Sequence, residues 1–209
     1  MDREEHWERV YATKSPTEVS WYAAHLADSV EWIEEAAASA AVTRDAFAIV
    51  DVGGGASTLV DDLWAQGFRA LTVLDVSAAA LEHAQARMGD AAEGVCWVVG
   101  DVTRSVQPEG AFDLWHDRAV FHFLTEAEDR AAYVAQVRRA LKPGGDVIVA
   151  TFSLRGPERC SGLPVCQYDA AGLAAEFGEG FRMVKSAVVA HRTPAGGVQE
   201  FVFCWLQCS

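Results

Sequence analysis

Residues 49–57 read IVDVGGGAS, an apolar run carrying one acid that breaks into three consecutive glycines. Glycine next to a strand weakens it unless a turn or a closely approaching group requires the missing side chain. Gly53, Gly54 and Gly55 therefore mark either a tight strand–helix turn or a turn whose backbone meets a ligand. Phe47–Val52 reads as a short buried strand, and Ser57–Gln66 as a helix with Ser57 as N-cap and Gly67 as its stop.

Outward from this turn the same alternation repeats. Strands are predicted at Ala70–Leu74, Val95–Val99, Phe112–Trp115 and Asp146–Phe152. Helices are predicted over Ser77–Met88, from a Thr125/Glu128 capping box to about Leu141, and over Asp169–Phe177. Phe181–Ala190 and Gln199–Leu206 are two strands whose turn, around Ala195-Gly196-Gly197, is too short for a crossover helix, so they should be antiparallel. Residues 17–37 carry a helical apolar pattern. The fold class is α/β: a doubly wound, mostly parallel sheet of seven strands, Rossmann-like, closed by an antiparallel C-terminal strand. No linker or repeat divides the chain, which reads as one domain over 1–209, with a helical segment at 1–37 and a core at 47–209.

Bulk properties narrow the function. The 209 residues carry 17 Lys and Arg against 30 Asp and Glu, a net charge of −13, with the basic residues scattered. That argues against a nucleic-acid partner. No apolar run reaches the roughly 18–20 residues of a membrane span, and the charged start MDREEHWERV is not a secretory signal. Five cysteines without a C-x-x-C pair read as reduced cytoplasmic thiols and supply no metal site. Cys96 is expected in the core, and Cys204 and Cys208 in structural roles.

In doubly wound sheets ligands bind at the carboxyl ends of the strands. The glycine turn lies at such an end, and Asp75 ends the second strand about 20 residues on, where an acid takes ribose hydroxyls. That spacing suits a nicotinamide dinucleotide and S-adenosylmethionine equally, but a dinucleotide fingerprint would have glycine where Thr58 stands. Further along come Gly100-Asp101-Val102, Phe112-Asp113-Leu114 and Leu141-Lys142-Pro143-Gly144-Gly145. With DVGGGAS, LTVLDVS, GDV, FDLWHDRAVFHFL and LKPGG in this order, the chain resembles the class I S-adenosylmethionine-dependent methyltransferases over nearly its whole length. The family's loop is acid-x-Gly-x-Gly-x-Gly; Asp51, Gly53 and Gly55 match and Ser57 replaces the last glycine. The resemblance implies that Gly53 and Gly55 pass near the methionine part of the cofactor. It also implies that Asp75 holds the ribose, Asp101 the adenine amine, and that Val102 packs beside the ring.

HWERVYATKSPTEVSWY, residues 6–22, is a second informative stretch. Trp7 and Tyr11 are four apart on one helical face, with Trp21 and Tyr22 after a polar loop. They either cover the sheet edge or form a lid around the sulfonium, where a cation over an aromatic face gains about 0.5–2 kcal/mol. The spacing resembles the opening of thiopurine methyltransferase and the H-W-x-x-x-Y pattern of elongation-factor lysine methyltransferases. RAVFHFL is similar to trans-aconitate methyltransferase.

Candidates for the chemistry are His116, Asp117, Arg118 and His122 after the fourth strand, the alternative being a structural Asp–Arg pair and a packed histidine. The lysine enzymes carry Asp-Lys-Gly here, against Asp117-Arg118-Ala119. The loop RGPERCSGLPVCQYD leaves the fifth strand on the ligand side, so either Arg155, Arg159, Cys160 and Cys166 line the acceptor pocket or the two cysteines are packed loop thiols. Two thiols suit a thiol, selenol or metalloid acceptor. The expectation is methyl transfer to such a small molecule. Protein lysine is the alternative acceptor, and a non-catalytic cofactor-binding regulator the alternative class.

Overall fold

The computed structural model describes residues 3–209. Its centre is a seven-stranded sheet in the order β3-β2-β1-β4-β5-β9-β8. The strands are β1 (Ile49–Val52), β2 (Leu71–Asp75), β3 (Cys96–Val99), β4 (Phe112–Arg118), β5 (Leu141–Phe152), β8 (Phe181–Arg192) and β9 (Val198–Cys208). A two-stranded hairpin, β6 (Arg159–Cys160) with β7 (Leu163–Pro164), stands apart from the sheet. The helices are α1 (Arg3–Thr13), α2 (Ala27–Ser39), α3 (Leu59–Ala65), α4 (Ala78–Met88), α5 (Ala127–Ala140) and α6 (Ala170–Phe177). The first five strands pair in parallel, β9 runs antiparallel to β5, and β8 antiparallel to β9. This is the mostly parallel, Rossmann-like sheet expected from the alternation.

Burial on both faces explains the near-continuous apolar runs of the central strands. Ile148, Ala150 and Phe152 of β5, with Phe201, Phe203 and Trp205 of β9, pack into one core with Trp32 and Ile33 of α2 and Leu59 and Leu63 of α3. The alternate residues Val147, Val149, Val202, Cys204 and Leu206 face Tyr133 and Val137 of α5 and Leu173 and Phe177 of α6. Each such fully buried aliphatic or aromatic side chain contributes about 1.5–3 kcal/mol.

Local chemistry sets the helix starts. Ser77 accepts from Ala80 N (3.1 Å) to open α4, and Asp169 accepts from Gly172 N (2.7 Å) to open α6. Ser57 Oγ accepts from Leu59 N (3.2 Å), but α3 starts at Leu59 and Thr58 holds the cap position. The Thr125/Glu128 capping box does not form. Glu126 is the N-cap of α5 without a side-chain bond, and Arg130 Nη1 occupies the carbonyls of Leu124 and Thr125 (3.0 and 2.9 Å).

Other expectations need correction. The 17–37 pattern is not one helix: α2 begins at Ala27, and the turns before it bury Val19 and Leu26 through tertiary contacts rather than through a helical face. β4 runs on to Arg118, so His116, Asp117 and Arg118 lie within the strand and not after it. LKPGG is the irregular start of β5, with Leu141 paired to Phe112 and a register shift before Asp146. Cys96 is exposed because it begins β3, an edge strand covered on one side only. Among the described residues no helix is long and apolar enough to cross a membrane.

Candidate active site

The carboxyl ends of β1, β2, β3 and β4 converge beneath α1. Val52 is in register with Leu74 on one side and Asp117 on the other, and Gly53 N donates to Leu74 O (2.7 Å). Gly53 (φ +66°) and Gly55 (φ +38°) occupy left-handed backbone. A Cβ on Gly53 would stand 2.0 Å from Val120 Cγ2, and one on Gly55 would stand 2.6 Å from Asp75 Oδ2. Both positions thus require glycine for conformation and for close approach.

A cavity of about 870 Å³, its open mouth included, lies over this turn. Gly53, Asp75, Asp101 and Val102 line one part of it. Asp75 is buried, and its Oδ1 accepts from Ser77 N (2.9 Å). Burial raises its carboxyl to about 7, with the charges of Asp51 and Glu8 adding to the rise against the Ser77 and Val76 amides. Asp101 behaves in the opposite way. Burial pushes its carboxyl up, but the Thr103 hydroxyl and amide (2.7 and 2.8 Å) and Arg3 outweigh that and hold it below the usual range. Asp75 thus offers acceptor oxygen toward hydroxyl donors. Asp101, with Val102 at 6% exposure beside it, is an acceptor next to an apolar wall. These residues fit a nucleoside.

α1 forms the roof. Trp7 and Tyr11 line the cavity together with Trp21. Their rings meet edge-on or tilted, with Trp7–Trp21 at 5.6 Å, Tyr11–Trp21 at 6.4 Å and Trp7–Phe123 at 5.1 Å. Burial and the nearby Asp75 keep the Tyr11 hydroxyl protonated far above its ordinary range. Two polar latches hold the helix. Arg3 pairs with Asp101 (3.5 Å) and with Asp129, and Glu8 Oε1 accepts from Ala78 N (2.5 Å) and Ala79 N (3.3 Å) at the start of α4. A carboxylate there also meets the positive end of the helix dipole. Tyr22 lines only a smaller cavity on the far side of the glycine turn.

The remaining wall is aromatic: Phe123, Phe152 and Phe201, with Cys160 and Arg118. Burial lifts the Cys160 thiol to about 11, so it is no thiolate at neutral pH. Arg118 sits with its guanidinium carbon 5.0 Å from the centre of the Phe201 ring. Its one hydrogen bond among the described residues runs from Nη1 to Trp21 O (3.0 Å). Burial lowers it to about 10, and the charges of Asp28 and Asp51 restore it only in part.

Several expected residues stand elsewhere. Asp117 is fully buried and turned away from the cavity. It accepts from Tyr133 Oη (2.7 Å) and from the amides of Val120 (2.9 Å) and Phe121 (3.1 Å), and burial raises it to about 6. It shapes the 120–123 turn and has no oxygen left for an acceptor. His116 donates from Nδ1 to Asp51 Oδ1 (2.7 Å) and meets Ser29 Oγ through Nε2 (2.9 Å), so both ring nitrogens are engaged. His122 is buried in the 121–123 turn and lowered to about 3 by burial and by Arg118. Cys166 lies outside the cavity, its Sγ 4.0 Å from Leu124 O. Arg155 projects outward at 86% side-chain exposure, and Arg159 turns back onto Gly162 O. The expected Cys160–Cys166 pair is divided because the hairpin turns at Ser161 and Gly162 and carries Cys166 to the other side.

Arg3, Glu8, Ser29, Val120, Phe123, Phe152 and Phe201 were not singled out by the sequence. Only Phe152, as the last residue of a strand on the ligand edge, carried a readable signal. Ala119 is a left-handed non-glycine residue (φ +73°) where the lysine enzymes carry glycine. Among the described residues no group of three His, Cys, Asp or Glu side chains is placed to hold a metal.

Comparison with known proteins agrees with this geometry. A sequence model of the methyltransferase domain matches residues 49–145. No curated protein matches the chain. Among solved structures, one from work on conversion of a disulfide bond into a thioacetal group during echinomycin biosynthesis is 20% identical, with TM-score 0.79 over 100% of this chain and 93% of that one. An S-adenosylmethionine-dependent methyltransferase from Anabaena variabilis is 15% identical, with TM-score 0.77 over 100% and 96%. The N-methyltransferase NodS from Bradyrhizobium japonicum, solved with S-adenosylhomocysteine, is 17% identical, with TM-score 0.71 over 99% of both chains.

Proposed function

We propose that the chain is a class I S-adenosylmethionine-dependent methyltransferase, as the methyltransferase-domain match over residues 49–145 supports, and that its acceptor is a small molecule presenting a soft or anionic atom, a thiol or selenol first. The cofactor supplies a methyl group already activated on a sulfonium, so the protein's task is alignment and exclusion of water. In this reading Asp75 takes the ribose hydroxyls and Asp101 the adenine amine. Gly53 and Gly55 let the chain pass close to the methionine part, with Asp51 beneath them. Trp7, Tyr11 and Trp21 enclose the sulfonium side.

The observation that carries the acceptor class is Arg118, a mostly buried cation without a bonded carboxylate in the same cavity as Phe123, Phe152 and Phe201. A buried charge is costly unless it is paired. An incoming thiolate or other anion supplies the partner, and the guanidinium favours the deprotonated acceptor without a general base. The same cation repels a lysine ammonium, and Asp117 is too occupied to receive one. A metalloid clamp of two thiolates is not favoured, since only Cys160 lines the cavity. The relative with TM-score 0.79 comes from work on turning a disulfide bond into a thioacetal, which is sulfur chemistry.

A methyl-transfer screen over small thiols, selenols, carboxylates, amines and lysate proteins, read as S-adenosylhomocysteine, tests the proposal. Transfer to small thiols or selenols is expected. Arg118→Met should raise the acceptor KM at least about tenfold, the loss of a charged hydrogen-bonding partner, and by more than it changes the cofactor Kd. Label confined to protein lysine would refute the reading, and cofactor binding without any transfer would favour a regulator.

A further inference from the structure

We infer that His116 and Ser29 form a brace that turns Asp51 toward the ammonium of the cofactor's amino-acid end; the inference rests on the S-adenosylmethionine reading above. Asp51 and His116 are register partners on the parallel strands β1 and β4. Their side chains meet at 2.7 Å with almost no exposure, 7% and 1%. On the far side of the ring, Nε2 meets Ser29 Oγ of α2 at 2.9 Å. The order Ser–His–Asp has the layout of a hydrolytic triad. Ser29, however, is 1% exposed and lines neither cavity, so it is an anchor and not a nucleophile.

The brace fixes one oxygen of Asp51 and leaves the other. Oδ2 takes no hydrogen bond from a described residue and faces Gly54, where a Cβ would stand 2.5 Å from it. Asp51 and His116 line the smaller cavity, which shares Gly53, Tyr11, Trp21 and Arg118 with the larger one. An anionic oxygen is thus aimed at a glycine turn, in a cavity that shares four lining residues with the one Asp75 lines. That is the place for a cationic group attached to the same ligand. His116 is a positioning residue here: it keeps Asp51 from rotating, and Ser29 keeps His116 from rotating.

Calorimetry on the full chain with S-adenosylhomocysteine and with 5′-methylthioadenosine, which lacks the amino-acid end, separates this role from general structural support. The wild type should bind both. His116→Phe should weaken S-adenosylhomocysteine about tenfold and leave methylthioadenosine within about twofold, the signature of one lost charge-assisted contact. His116→Asn keeps an N–H donor and should recover most of the loss. Ser29→Ala, the milder change if His116→Phe does not fold, should weaken S-adenosylhomocysteine alone by about threefold. Equal losses for both ligands, or undiminished binding of S-adenosylhomocysteine, would overturn the proposal. A wild type that binds neither ligand would overturn the cofactor reading instead.

Discussion

Asp75 makes cofactor affinity and protein stability respond to pH in opposite directions. In the ligand-free chain burial holds its carboxyl at about 7, well above an unfolded aspartate. In the proposed role, ribose hydroxyls would donate to the ionised form, so binding would select the carboxylate. Affinity should then be flat above pH 7 and fall tenfold per unit below it. At pH 5, two units below, the loss approaches 100-fold, roughly 2.7 kcal/mol at 1.36 kcal/mol per unit. Stability carries the reverse sign. A carboxyl with a raised folded pKa binds more protons folded than unfolded, so its cost is absent below about pH 4 and complete above about pH 7. The ligand-free protein should therefore gain stability from this group as pH falls from 7 to 4. Asp75→Asn separates the effects: it should flatten the affinity profile near the acid-limb value and raise Tm at pH 8 by removing a buried charge. Calorimetry with S-adenosylhomocysteine from pH 5 to 8.5 at fixed ionic strength, with scanning calorimetry alongside, reads both. An affinity that does not change over that range, or that changes identically in Asp75→Asn, would refute the reasoning.

Three further outcomes follow from the same geometry. Glu8→Gln removes the charged cap from the first turn of α4 and should cost about 0.5–2 kcal/mol, with faster S-adenosylhomocysteine release in stopped-flow; an unchanged release rate would mean that α1 does not gate the cavity. Ala119→Gly should relieve the left-handed backbone and stabilise the chain by about 0.5–1.5 kcal/mol in urea unfolding; a loss of stability would place the strain elsewhere. Cys166→Ser should leave methyl transfer within about twofold, whereas Cys160→Ser puts a hydroxyl into an apolar wall and should raise acceptor KM by about tenfold; the opposite ranking would place the acceptor on the other side of the hairpin.

The sheet was legible because its signals are local. Glycine turns, the LKPGG run and a turn too short for a crossover each constrain a strand from a few neighbouring residues. The place of Asp75 and Asp101 at the cavity was legible for the same reason: Asp75 closes one apolar strand and Asp101 stands two residues past the next. The aromatic wall of the cavity was not. Phe123, Phe152 and Phe201 come from three separate segments, and only strand order brings them together. Asp117 and Arg118 are adjacent in sequence but face opposite ways on one strand, so a single alternation of the pleat decides which of them lines the cavity. Of the two loop cysteines only Cys166 left the cavity, because the left-handed turn at Ser161 and Gly162 reverses the chain after Cys160. Ser29 carried no sequence signal, since a serine in a helix is indistinguishable from a solvent-facing one until its neighbours are known.

The roof helix has a consequence for how the cavity opens. α1 spans 11 residues, REEHWERVYAT, more than half of them charged or polar. A helix of that length is marginal in water by itself, because nucleation is costly and few turns repay it. Its latches and its buried Val10 and Tyr11 are the contacts that keep it wound. Lifting α1 therefore means melting it, and admitting a ligand becomes a small unfolding reaction rather than the swing of a rigid flap. Such a gate should open more steeply with temperature and denaturant than a hinge would, so that warmth and mild urea accelerate exchange well before the sheet itself loosens.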